Sequence, residues 1–216
     1  MAKLRSGILG GISGTVGNVV GGRWRGIDYI RSKPSSVRNP NTEAQRNQRM
    51  RFRLVIQLLK KIRPLVNIGF GGYSQNQTPM NQAMSLNIRD AITGEYPDLS
   101  IDPEKLVFSD GELPNAENTG MDATQPGQIT VSWSYSTGTG QASPDDGALV
   151  LLYNAERDAV QYSIHGSARE DEEAVLQIPE SWQGEQIAGY LAFRSATSQE
   201  RSASRFISIE TAAEST

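Results

Sequence analysis

The chain has no cysteine and a single histidine among its 216 residues. Without thiols there is no disulfide framework, thiolate metal site or cysteine nucleophile, and packing alone must hold the fold. His165 lies in SIHGSA at the end of a strand-like run with no motif-spaced ligand around it. It reads as a surface or hydrogen-bonded residue rather than a catalyst. Ser163 and Ser167 lack the strand–turn–helix setting of a nucleophile elbow. Acidic clusters with metal spacing are also missing, since EDEE (170–173) is contiguous, SPDDG (143–147) reads as a turn, and neither follows the calcium-loop pattern. No catalytic residue, metal or cofactor is therefore expected.

Long apolar runs are absent too. No window approaches the ~18–20 residues of a membrane-spanning helix. Lys3 and Arg5 give a basic start, but GILGGISGTVGNVVGG after them is diluted by glycine, Ser13, Thr15 and Asn18. It does not read as a secretory leader, so a cytoplasmic protein or part of a particle is expected. The same glycines fail as a phosphate cradle: no lysine follows in Walker spacing, and GTVGNVVGG lacks the strand before and helix after that a dinucleotide loop requires. Insertion of Ile8, Leu9, Ile12 and Val16 into a lipid interface is opposed by the polar residues among them.

The most informative scarcity is of acid in the front of the chain. Residues 1–65 hold Asp28 and Glu43 against fourteen basic side chains, a net +12, while residues 66–216 hold seven basic and 22 acidic ones, a net −15. Such segregation implies an anionic partner for the front, or contact between the front of one copy and the back of another.

What is present is ordinary globular stock, 37% hydrophobic and 21% charged. Residues 18–33 alternate as a β-hairpin with a turn at Gly26. From Thr42, with Gln45 three positions on as a capping box, a helix is predicted to run to Gly69 with a kink at Pro64. Its apolar stripe comprises Ala44, Val55, Leu58, Leu59, Ile62, Leu65 and Val66, with Arg46, Arg49, Arg53 and Lys60 opposite. A second helix starts at Thr78–Pro79, carries Ala91 and Ile92 near its end, and stops at Gly94. Six strand-length runs follow, at 128–135, 147–154, 159–164, 174–178, 186–194 and 205–209, with no helix between them. This spacing predicts an antiparallel sandwich. In the first of them Ile129, Val131, Trp133 and Tyr135 share a face, and residues 196–201 form the tip of a later hairpin.

The expected fold class is α+β: a glycine-rich basic arm with hairpin (1–40), a helical segment (41–95), a β-sandwich of immunoglobulin or fibronectin type (96–210) and a tail (211–216). The glycines suit close backbone approach. Gly10, Gly11, Gly14 and Gly17, with Trp24, Arg25, Tyr29 and Arg31, form a candidate subunit interface in a non-enzymatic, self-assembling homo-oligomer or polymer. Arg46, Arg49, Arg53 and Lys60 are candidate anion or nucleic-acid contacts, because cations bind phosphates and nearby aromatics stack on bases. A third expectation is a surface-adhesion or carbohydrate-binding module with Trp182 or Tyr190 stacking on sugar.

Taken together, GGISGTVGNVVGGRWRGIDYIRSKP, NTEAQRNQRMRF, AITGEYPDLSID, ITVSWSYSTGTG and YLAFRS resemble a family of uncharacterised Bacteroidota proteins, a domain of unknown function. The resemblance covers almost the whole chain. It implies no activity, ligand or catalytic residue.

Overall fold

The computed structural model describes residues 3–4, 10–36, 40–72, 77–135 and 142–208. The tail expected at 211–216 lies outside them, as do Arg5 and Arg38 of the basic front. The chain divides into two compact units, residues 1–42 and 43–216.

The first unit is a four-stranded antiparallel meander of β1 (Lys3–Leu4), β2 (Ile12–Val16), β3 (Val19–Trp24) and β4 (Ile27–Ser32), in chain order across the sheet. The expected hairpin is its β3–β4 half, registered from Val19 against Ser32 to Trp24 against Ile27. Arg25 (φ 49°) and Gly26 (φ 86°) both take left-handed backbone at its tip. That is the two-residue turn whose twist matches the flanking strands. β2 is a strand that the sequence did not announce, because ISGTV has too few apolar residues to alternate.

The second unit has three layers. α1 (Glu43–Lys61), α2 (Arg63–Gly69) and α3 (Pro79–Asp90) make the first. Pro64, in the first turn of α2, lacks an N–H to continue the ladder, so the expected kink is a full break at Ile62. The Thr78 side chain caps α3 by accepting from the Asn81 amide at 3.2 Å. α3 ends at Asp90, earlier than expected. Ala91 is its cap and Ile92 opens β5 (Ile92–Thr93), which pairs with β6 (Ser100–Ile101). Gly94, at φ 84°, makes the turn after β5 instead of stopping the helix.

Beyond a 3-10 turn at Pro103–Lys105 lie β7 (Glu117–Asp122), β8 (Gln128–Ser134), β9 (Gly147–Asn154), β10 (Ala159–Ser163), β11 (Glu173–Gln177), β12 (Ile187–Arg194) and β13 (Arg205–Ile207). They form two antiparallel sheets, β11–β8–β7 and β10–β9–β12–β13. A three-on-four sandwich in this strand order is a fibronectin-type fold. All six expected runs are strands. β7 escaped notice because ENTGMD is rich in turn formers and buries just Met121 as a core side chain; its pairing with β8 is also irregular between Glu117 and Gly120.

Burial explains why the runs differ in texture. β8 and β11 alternate buried and less buried positions, because one face of their sheet meets water. β9 and β12 are buried along nearly their whole length. Ala148, Val150, Leu152, Leu191 and Phe193 point into the sandwich with Ile129, Val131 and Trp133, whereas Leu149, Leu151, Tyr153, Ala188, Tyr190 and Ala192 join Val55, Leu58, Leu59, Leu65 and Ala83 of the helical layer. Up to their last residues, Asn154 and Arg194, the strands GALVLLYN and IAGYLAFR are rich in apolar side chains on both faces because they serve two cores. The helical segment and the sandwich are accordingly one packed unit.

Two polar devices pin this unit. Asn87, buried on α3, donates to Ala83 O (2.8 Å) and Val107 O (2.7 Å) and accepts from the Val107 amide (2.9 Å), tying the chain after β6 to the helix. At one end of the sandwich Arg169 and Asp146, both buried, pair at 3.2 Å. Arg169 also donates to Pro114 O (2.8 Å) and lies 3.9 Å from the centre of the Phe193 ring, while its own carbonyl accepts from the Trp133 indole (2.8 Å). Burial pushes the Arg169 pKa down and Asp146 opposes that shift. SPDDG is a turn, as expected, but one whose Asp146 is an interior anion.

Candidate functional site

Over its described residues 10–36 the amino-terminal sheet shows no core of its own. Among residues 10–36 the single buried one is Gly21, which has no side chain. Trp24 (64% exposed), Ile27 (69%), Ile30 (62%), Val16, Val19 and Tyr29 stand in solvent. Cross-strand partners share a face. Trp24 and Ile27, Tyr29 opposite Gly22, and Arg31 opposite Val20 therefore line one face; Ile30 opposite Gly21, Val19 and Val16 line the other. Trp24, Arg25, Tyr29 and Arg31 of the candidate interface are all exposed, and Trp24, Tyr29 and Arg31 are on the same face. The Arg25 guanidinium lies 4.8 Å from the centre of the Trp24 ring, a cation–π contact that presents both at the hairpin tip.

The candidate glycines take different places. A Cβ on Gly11 would fall 2.3 Å from the Asp28 carboxyl, so its small size is used within the chain. The same holds for Gly21, where a Cβ would come 2.1 Å from Ile12 O. Gly14 pairs with Gly21 inside the sheet, Gly17 turns β2 into β3, and Gly10 leads in partly exposed.

α1 presents the second basic surface. At ~100° per residue Arg46, Arg49, Arg53 and Lys60 fall within about 60° of one another, opposite Val55, Leu58 and Leu59, and all four are exposed. Phe52 is exposed at the edge of this basic row. Ala44, expected on the apolar stripe, is exposed as well, because the first turns of the helix carry no buried residue. Arginines near a helix amino terminus oppose the macrodipole, so this placement costs helix stability.

A cleft of about 860 Å³ lies in the second unit, walled by the 3-10 turn, the β7–β8 turn, the end of β9, the segment before β12, and β13. Tyr153, Ile178, Trp182, Ile187 and Phe206 supply apolar lining. Asp102, Glu104 and Glu185 are its charged lining residues, and among the described residues no lysine or arginine lines it. Asp102 pairs with Lys105 (3.0 Å) and Glu185 with Arg157 (2.6 Å), both cations standing outside the lining. The hydrogen bond from Arg157, reinforced by Asn154, holds Glu185 below the usual carboxylate range. Burial, with a smaller contribution from Asp158, pushes the Tyr153 phenol up to about 12.

The two rings expected to stack on sugar, Trp182 and Tyr190, are both core side chains. Tyr190 is fully buried, its hydroxyl donating to Pro103 O (2.6 Å), and Trp182 is 3% exposed. Tyr190 offers no face to a ligand, and Trp182 contributes to the cleft lining alone. His165 is exposed, with Arg194 Nη2 3.2 Å from its Nδ1. Among the described residues no group of three or more His, Asp or Glu is placed to hold a metal, and no helix is long and apolar enough to cross a membrane.

A family model described as a family of unknown function (DUF6266) matches residues 11–208. No curated protein matches the chain. Among solved structures the chain is similar to the fn3 domain of human collagen alpha-1(XX) chain, at 14% identity and a TM-score of 0.35, over 46% of this chain and 85% of that one.

Proposed function

The chain belongs to this family of unknown function, and we propose that it is a non-enzymatic structural protein that assembles with copies of itself through its amino-terminal sheet. The observation that carries this reading is a sheet that, over its described residues 10–36, has one buried residue and six large apolar side chains in solvent. A small sheet gains stability by burying a face against something. The +12 front and −15 remainder favour a neighbouring copy as that partner, since each chain brings both charges. Light scattering after size exclusion tests it. The full chain associates at low salt and less so at high salt, and a chain beginning at residue 43 stays monomeric. Monomers in both, from dilute to concentrated, overturn it.

The exposed row Arg46, Arg49, Arg53 and Lys60 supports a second reading, in which the helix binds nucleic acid. It requires a low-salt gel shift that weakens when Arg46, Arg49 and Arg53 become glutamine. An unshifted gel at low salt removes it.

A further inference from the structure

Resting on the assembly reading, we infer which surfaces meet: the hairpin tip Arg23–Gly26 of one copy, led by Trp24, enters the acid-rimmed cleft of a second copy. The tip carries the residue types that dominate binding energies, a Trp and arginines, in exposed positions on a two-residue turn. The cleft offers the complement. Its floor is apolar, its charged lining is entirely carboxylate, and its size is that of a pocket that engulfs a ligand. Asp102 and Glu185 keep their counter-ions outside the lining, and Glu104 stands exposed at the rim in no described salt bridge. Arg25, arriving beside Trp24, meets Glu104 without displacing an existing ion pair, while Arg23 keeps its own with Asp28 (3.7 Å). Charge complementarity selects a second copy as occupant, since every chain brings one tip and one cleft. Such a contact is heterologous: it closes a ring or continues as a filament.

The cysteine-free chain makes the contact directly testable. Full-length Arg25→Cys and Gln183→Cys chains, each with one thiol, are mixed under mild oxidation. A disulfide-linked mixed dimer, in excess over either homodimer, is expected. Trp24→Ala weakens self-association by on the order of thirtyfold, as loss of an interface anchor does. Glu104→Arg also weakens it, and adding Arg25→Glu restores it. If wild type assembles yet no mixed cross-link forms, the inference falls and the assembly reading stands. If wild type is monomeric at every concentration, both fall. A chain carrying both cysteines that closes on itself as a monomer assigns the cleft to its own tip and overturns the inference.

Discussion

Residues 10–36 and residues 43–216 solve the same problem in opposite ways. The larger unit folds around two apolar cores that share β9 and β12 as a common wall. The smaller one closes its backbone hydrogen bonds through β2, β3 and β4, and Gly21 is the one buried position in residues 10–36. Hydrogen bonds alone give a sheet little net stability, whereas apolar burial gives about 25 cal/mol per Å². The second unit holds itself together by apolar burial, whereas the first leaves its large apolar side chains in solvent.

The sharpest way to break that contrast is to damage the larger unit from inside. Asp146→Ala leaves Arg169 buried and unpaired, and should cost ~3–5 kcal/mol in chemical denaturation. Leu151→Ala opens a cavity between helices and sheet and should cost ~2–5 kcal/mol. Its exposed counterpart in the smaller unit behaves differently. Trp24→Ala should change the denaturation free energy of residues 43–216 by less than ~0.5 kcal/mol. A large loss there would mean that the two units are not distinct in stability.

The smallest effect is electrostatic. Because Glu185 has a folded pKa below its unfolded value, its pairing with Arg157 stabilises the fold above the ordinary carboxylate range and is lost as pH falls through the folded value. Arg157→Gln should raise the Glu185 pKa in an NMR titration while leaving the neutral-pH spectrum of the cores unchanged.

How much of this was legible beforehand follows from the same physics. Ile129, Val131 and Trp133 alternate because one side of β8 meets water, so their face could be read directly. The Thr78 cap is local chemistry and was equally plain. GALVLLYN announces burial but cannot say that helices form its second cover, because a continuous apolar run carries no direction. Asp146 and Arg169 are 23 residues apart in turn-like segments, and nothing local marks them as partners. The cleft was missed for a similar reason. Its walls come from five separate stretches, none of which has a motif. Of the candidate interface, the arginines and aromatics are exposed, as the reading required, whereas Gly11 serves a contact inside the sheet that a count of glycines cannot distinguish from an external one.

The shared wall of β9 and β12 has a kinetic consequence. A helix that detached would bare Leu149, Leu151 and Tyr190, and a departing three-stranded sheet would bare Val150 and Leu152 on the same strands. Neither layer can leave without stripping the wall that the other leans on. The amides of Leu149 to Leu152 should therefore exchange with deuterium only when the whole unit opens, and proteases should find a single concerted event there instead of a sequence of partial ones.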